Sequence, residues 1–437
     1  MYEPLEGFLS YVTSMSLYGF LAVYWYFLAI EFTRYVLFDF LILFDRYLHA
    51  DQDQRLREEA KKSLYKELPL ISVIAPGKNE GKHIPKLSKS LKRQSYKNIE
   101  IIIVDDGSDD NTAHICKRLL DEKKIDIFIS NPDRGGKASA ANIAFHYTQG
   151  KYVVHLDADS YIDDNSIENL LLNFYMDPNC GAVAGDVRVN NTQDSIATTL
   201  QAIEYLKTIS LSRLVSSRLN ILRIISGAYG AFRRDILEEL KGWDVGPGLD
   251  GDITVKIRKM GYRVVFDHNA ICYTNAPNTF KKIAKQRFRW DRSLVRFRLR
   301  KHKDIYKKQA NSSFLNFVTI ADGVLYNFVF NLLWWVYMVQ LIYIMPDNLG
   351  YILLFNYLLY FGSNILQYIV IVSILGKTMR SKDKLLLLYL PLMPLYSGVF
   401  LRLIRTYAQL MELFFKISYY DPWNPWKVSK QVKDKGM

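Results

Sequence analysis

The sequence predicts an α/β domain, Rossmann-like with a mostly parallel sheet, inserted between transmembrane α-helices. Three observations lead there. Apolar residues make up 49% of the 437 residues, yet they gather at the two ends of the chain while the middle is mixed. The middle alternates strand-like and helix-like segments. Acidic residues recur where the strand-like runs stop.

The first apolar region, LYGFLAVYWYFLAI, runs up to Glu31, and apolar character resumes after Arg34 in YVLFDFLILF. A hydrocarbon core needs roughly 20 apolar residues as helix. One helix over about 13–44 satisfies this, with Glu31 and Arg34 three apart on one face. No basic segment precedes the run and it is too long for a cleaved signal peptide. The charged stretch DRYLHADQDQRLREEAKKS follows as a connector.

From about 68 to 305 the pattern changes. LISVIAP precedes a helix over 83–95, IEIIIVDDGS a helix over 109–121, and IDIFIS a helix over 136–148; YVVHLDADS closes the series. Apolar runs of this length between amphipathic helices are parallel strands covered on both faces. Ligands in such sheets bind at the carboxyl ends of the strands. Asn79-Glu80, Asp105-Asp106-Gly107 and Asp157-Ala158-Asp159 fall at those ends.

In the last third, 323–345 and 350–375 are each long enough to span. MPDNLG lies between them and the basic GKTMRSKDK after them, so the basic loop belongs in the cytosol. Residues 384–416 are apolar but interrupted by Pro391, Pro394, Arg402 and Arg405, and read as one long helix or two short ones. Residues 312–322 read as an interfacial helix. The domain plan is therefore an N-terminal transmembrane helix (1–50), a cytosolic catalytic domain (51–305), an interfacial helix with C-terminal transmembrane helices (306–420) and a basic tail (421–437). The implied location is the inner or plasma membrane, multi-pass.

The net charge is +13. Lys and Arg collect beside the apolar segments, as cytoplasmic flanks do, and no nucleic-acid motif appears. The expected surface partner is a lipid bilayer, not nucleic acid. The three cysteines, Cys116, Cys180 and Cys272, are far apart, which argues against a disulfide framework or zinc site.

Asp157 and Asp159, two apart at a strand end, project to the same side. Two carboxylates there repel unless a cation neutralises them. Mg²⁺ or Mn²⁺ does so with oxygen ligands, keeping positions for phosphate oxygens. Asp106 and Glu80 can accept hydrogen bonds from a nucleobase or ribose, while Ser108 or Asp109 caps the next helix. Gly135-Gly136-Lys137 opens a helix and offers backbone approach and a point charge for phosphate. In Gly248-Leu249-Asp250-Gly251-Asp252, Asp252 reads as the helix N-cap, which frees Asp250 as a base. Gln286, Arg289 and Trp290 at i, i+3, i+4 share one face of a basic helix.

Taken in order, APGKNE, VDDGS, RGGKASAAN, LDAD, AGDVRV, SGAYGAFRRD, GLDGD and QRFRW resemble the processive family-two membrane glycosyltransferases, among them the synthases of cellulose, hyaluronan, chitin and poly-N-acetylglucosamine. The resemblance implies an inverting, Mg²⁺- or Mn²⁺-dependent enzyme. It would polymerise sugars from a UDP-sugar donor onto a growing polysaccharide acceptor and translocate the product, with accessory export or regulatory proteins as possible partners. It implies nucleotide contacts from Pro76, Asn79, Glu80, Asp106, Lys137 and Asp157, and metal contacts from Asp157 and Asp159. Asp250 would be the base. Ser226, Gly227, Arg188, Gln286, Arg289 and Trp290 would contact the diphosphate and acceptor. One position departs: Leu249 stands where the family often has a second acid before the base. Two alternatives are a single-addition enzyme acting on a lipid carrier and a non-catalytic membrane scaffold or transporter component.

Overall fold

The structure, a computed structural model, describes residues 3–244, 249–306 and 314–420. The basic tail over 421–437 and Gly248 of the GLDGD motif lie outside the described residues.

Eight strands form one sheet: β1 (Ile71–Gly77), β2 (Ile99–Asp106), β3 (Ile127–Asn131), β4 (Tyr152–Leu156), β5 (Tyr161–Ile162), β6 (Cys180–Val189), β7 (Tyr229–Arg233) and β8 (Arg263–Thr274). Their order is β3-β2-β1-β4-β7-β6-β8-β5. The first four are mutually parallel, as the sequence alternation predicts. β1 is buried on both faces because alternate side chains point to opposite sides. Ile71, Val73 and Ala75 enter one core and Ile74 the other. The far half is mixed: β7 runs antiparallel to both β4 and β6, while β6 and β8 run parallel.

The long N-terminal helix covers 17–48 rather than about 13–44. Helical backbone continues through Leu17–Tyr26, Phe27–Leu37 and Phe38–Leu48, after a separate Glu3–Ser14 helix. Ser16 starts the long segment by accepting from the Gly19 amide at 3.1 Å. Glu31 and Arg34 do not pair with each other. Glu31 meets Arg402 at 2.6 Å and Arg34 meets Asp322 at 3.6 Å, because each faces a different neighbouring helix.

Among the described residues three helices are long and apolar enough to cross a membrane: Phe314–Ile344, Leu349–Leu375 and Ser381–Phe415. The segment read as a separate interfacial helix over 312–322 is instead, from Phe314 on, the first turns of the 31-residue Phe314–Ile344 helix, since no breaker interrupts its backbone. The N-terminal helix is not among the three, its tyrosines and charges lowering its hydropathy. It nonetheless packs lengthwise with two of them. Tyr26 donates to Phe330 O at 2.6 Å, Tyr337 to Val23 O at 2.9 Å, and Gln367 to Asp39 at 2.9 Å.

Ser381–Phe415 is one helix through both prolines, tightened to 3₁₀ geometry over Leu385–Leu392. Both of its ends touch the α/β domain. Lys382 donates to Asn190 O at its start; near its end Arg405 meets Asp291 at 3.2 Å and Glu412 pairs with Arg300.

The loop before this helix is clamped to the sheet. Arg188, expected near the acceptor, is only 3% exposed. Its guanidinium donates to Asp186 at 2.8 Å, to Thr378 O at 2.7 Å and to Thr378 Oγ1 at 2.9 Å. Its position on β6, one strand beyond β7, gives it this structural job. Arg188→Ala leaves Asp186 buried and uncompensated, which should destabilise the chain by about 3–5 kcal/mol. The expected readout is a lower melting temperature in detergent. Asp186→Leu/Arg188→Met should recover most of it.

Candidate active site

The cleft forms where β1, β2 and β4 end. Register sets their ends level: Gly77 of β1 lies opposite Asp105 of β2. Buried Pro76 precedes Gly77 within the strand. A Cβ on Gly77 would stand 2.7 Å from the Ala158 Cβ and 3.0 Å from the Glu80 Cγ. Only a glycine lets β1 approach the Asp157–Asp159 turn so closely.

Two of the expected nucleotide ligands brace the loops. Asn79, at φ +60°, donates its amide to Ser108 Oγ at 2.8 Å and accepts from the Asp109 amide at 2.8 Å. Ser108 and Asp109 are thereby occupied, and neither caps the next helix. That helix starts later, at Thr112, where Asp110 accepts from the Thr112 amide at 2.9 Å. Asp106 accepts from the Gly135 amide at 2.7 Å and the Gly136 amide at 2.8 Å. It holds the glycine turn, with Gly136 at φ +86°, that opens the Lys137–His146 helix.

Lys137 then points back across the cleft. It forms an ion pair with Asp157 and donates to Gly227 O at 3.0 Å. Burial works against its charge, but Asp157, Asp250 and Asp159 outweigh burial and raise its pKa. The Asp157 amide donates to Ala228 O at 3.0 Å, stitching the Ser226-Gly227-Ala228 turn to the metal-type motif. A Cβ on Gly227 would lie 2.3 Å from Asp250 Oδ1. The carboxylate of Asp250 thus rests directly on that turn. Thr254 locks the contact: its hydroxyl accepts from the Ile225 amide at 2.9 Å and donates to Asp250 O at 2.6 Å.

Asp252 is not the N-cap. The Leu249–Lys259 helix begins earlier, so Asp252 sits in its first turn and only 3% exposed. Leu249 enters the hydrophobic core beneath the sheet, which explains an apolar residue there.

Gln286, Arg289 and Trp290 lie on the Phe280–Leu294 helix. Gln286 Oε1 is buried without a hydrogen-bond partner among the described residues. Trp290 is 40% exposed, and the Arg287 guanidinium sits 4.4 Å from its ring centroid. Arg287 is anchored by Glu204 at 2.9 Å. Sequence reasoning missed Glu204, Tyr205 and Arg213. Tyr205 lies within electrostatic reach of both Arg287 and Asp159, and Arg213 of Asp250. All three are on helical segments between β6 and β7, and no motif marks them. The one available signal was a run of polar residues inside an otherwise apolar helical stretch.

Three carboxylates crowd the cleft. Burial first, then Asp159 and Asp157, push Glu80 up to about 7. Burial and then Asp157 push Asp159 up to about 6, with Lys137 opposing. Among the described residues no group of three or more His, Cys, Asp or Glu could hold a metal by itself. The donor set still fits Mg²⁺ or Mn²⁺: two hard, mutually repelling carboxylates, Asp157 and Asp159, that leave coordination positions for phosphate oxygens.

Residues 72–241 match the profile "Glycosyl transferase family 2". Those residues are a family-two glycosyltransferase domain. The chain is 31% identical over 226 residues to poly-beta-1,6-N-acetyl-D-glucosamine synthase of Staphylococcus aureus strain COL, covering 51% of this chain and 54% of the relative. It is 32% identical over 234 residues to the synthase of the same name from Staphylococcus epidermidis, covering 52% and 55%. The chain thus spans about half the length of the curated relatives it matches. A mannosyltransferase from Pyrobaculum calidifontis, solved with GDP-Man and Mn²⁺, superposes with a TM-score of 0.53 at 18% identity over 82% of this chain and 96% of that one. At that identity the likeness bears on the fold.

The raised carboxyls have a pH signature. Their folded-state pKa values exceed the ordinary ones, so folding takes up protons between about pH 4 and 7. The cost of ionising them is absent below that window and complete above it. Asp159→Asn removes one repelling charge and should stabilise the metal-free family-two domain by about 1–2 kcal/mol at pH 7.5. The gain should shrink as pH falls through that window and vanish below about pH 4. Paired melting curves across pH read this, and the parent's Mn²⁺ affinity should fall as pH drops from 7.5 to 5.5.

Proposed function

We propose that this chain is a membrane-embedded, inverting glycosyltransferase. It extends an extracellular polysaccharide from a UDP-sugar donor and passes the product across the membrane. One observation carries the proposal: Lys137, Asp157, Asp159, Gly227 and Asp250 converge on a single cleft at the carboxyl edge of the parallel strands. The names of the matched relatives make UDP-N-acetylglucosamine the first donor to test.

In the proposed reaction, Glu80 and the braced loops of Asn79 and Asp106 receive the uridine. Lys137 faces the diphosphate. Asp157 and Asp159 would hold Mg²⁺ or Mn²⁺, which supplies Lewis-acid stabilisation of the departing diphosphate when bound. Asp250 accepts the proton of the acceptor hydroxyl as its oxygen bonds to the anomeric carbon. The bond from that carbon to the diphosphate oxygen breaks and UDP leaves. Trp290, half-exposed beside Gln286 and Arg289, offers a ring for the acceptor sugar.

Polymer growth is favoured over a single transfer by polar side chains inside the apolar helices. Asn331 and Trp335 both donate to Thr406 Oγ1 at 2.9 Å, and Gln409 donates to Asn327 O at 2.7 Å. Polar residues at membrane depth face a bundle interior or a polar path. The membrane arrangement we propose has three crossings, 17–44, Phe314–Ile344 and Leu349–Leu375. Ser381–Phe415 lies along the cytosolic face, and the family-two domain is cytosolic at the plasma membrane.

Purified chain with UDP-N-acetylglucosamine and Mn²⁺ should release UDP and accumulate a polymer sensitive to a matching hydrolase. Asp250→Asn should lower kcat by at least about 10³-fold while UDP binding persists. A product that stops at one sugar on an organic-soluble lipid would favour the lipid-carrier reading instead.

A further inference from the structure

Below Asp250 lies a charged cluster that the reaction above does not use. Asp252 accepts from His302 Nε2 at 2.8 Å and faces Lys301 Nζ at 2.8 Å; its other oxygen is 3.5 Å from Lys256 Nζ. Burial opposes the Asp252 charge, but His302, Lys301 and Lys256 together outweigh it and hold the carboxyl well below the usual range. The same two lysines reach Asp244: Lys256 at 2.6 Å and Lys301 at 2.6 Å. Each lysine thus joins Asp244 to Asp252, residues on either side of the position that carries Asp250. His302 Nδ1 faces Lys259 Nζ at 3.0 Å, and Lys259 pairs with Asp304 at 2.6 Å. A neutral imidazole with its proton on Nε2 satisfies both contacts, donating to Asp252 and accepting from Lys259.

Lys301 and His302 end the helical stretch that begins at Phe280 and carries Gln286, Arg289 and Trp290. The far end of that stretch is therefore bolted to the first turn of the helix that bears Asp250. No charged neighbour adjoins Asp250 on its N-terminal side, where Leu249 is buried in the core.

We infer that Asp252, Lys301 and His302 form a latch that positions the carboxylate of Asp250 through the end of the Gln286–Trp290 helix. These are positioning residues: among the described contacts none reaches the Asp157–Asp159 motif. The latch fixes the base relative to the helix offered to the acceptor, so that one rigid unit sets the distance between hydroxyl and base. Such a unit is catalytically valuable because misplacement by about 1 Å can cost roughly 10²-fold in rate. The inference rests on the assignment of Asp250 as base.

The test compares steady-state transfer and UDP binding for the full chain in detergent or nanodiscs with Mn²⁺. His302→Leu removes both contacts and should lower kcat by about 10–100-fold with KM for the donor and Kd for UDP within about twofold. His302→Gln keeps a donor toward Asp252 and should recover kcat to within about threefold of the parent. Lys301→Met should resemble His302→Leu and carries the same readout if the leucine variant does not fold. If Asp250→Asn retains transfer, the base assignment itself fails. If Asp250→Asn loses transfer while His302→Leu and Lys301→Met keep parental kcat, the latch is overturned. It is equally overturned if His302→Gln is as impaired as His302→Leu, or if UDP affinity falls in step with kcat.

Discussion

Repulsion among Glu80, Asp157 and Asp159 is the constraint on which the site depends. Three carboxylates at the ends of two neighbouring strands cannot all ionise cheaply in a half-buried cleft. Lys137 offsets part of that charge from the opposite wall, through its pair with Asp157. Burial and the mutual repulsion that this offset leaves raise Glu80 and Asp159. On the proposed function, donor binding and charge neutralisation are one event.

The reversal of strand direction at β7 brings the second half of the site to the first. β7 lies antiparallel between β4 and β6, so the turn that leads into it, Ser226–Ala228, arrives at the carboxyl end of β4. There the Asp157 amide captures Ala228 O, and Gly227 leaves room for Asp250. A purely parallel sheet would have delivered a strand's carboxyl end to that place. The mixed topology therefore does chemical work: it sets a carboxylate from a distant helix beside the strand-end acids.

Much of this was legible in the sequence, for identifiable reasons. β1 to β4 alternate apolar residues over short runs, and their acids fall where strands must stop. Lys137 follows a glycine pair, of which Gly136 takes the positive φ that opens the helix. Other features were hidden because they are decided by partners distant in sequence. Arg188 looked like a ligand beside the acceptor, but Asp186 and Thr378 claim its guanidinium. Asp252 had the spacing of an N-cap, yet Lys301 and His302, some 50 residues on, pull it into the first turn of a helix that starts earlier. Glu31 and Arg34 had the spacing of a pair, but interhelical partners outcompete the local one, as they do when desolvated charges can reach closer counter-charges.

The last long helix shows why hydropathy alone misleads at a membrane face. Ser381–Phe415 has the length and composition of a span. A span, however, separates its two ends by the hydrocarbon thickness of about 30 Å. Here Lys382 bonds the tip of β6 and Glu412 pairs with Arg300 on the same domain, so both ends stay on the domain's side. Pro391 and Pro394 remove two backbone donors and permit the tightened turns that let the helix bend across that face. Its apolar side then covers Phe280 and Phe288 through Phe400 and Tyr407, while Arg405 turns to Asp291. Since Phe280 and Phe288 belong to the helix of Gln286, Arg289 and Trp290, this last segment packs along the acceptor-side helix of the proposed site. On the proposed arrangement the membrane region and the cleft are thus one mechanical unit, joined along a helix at the bilayer surface.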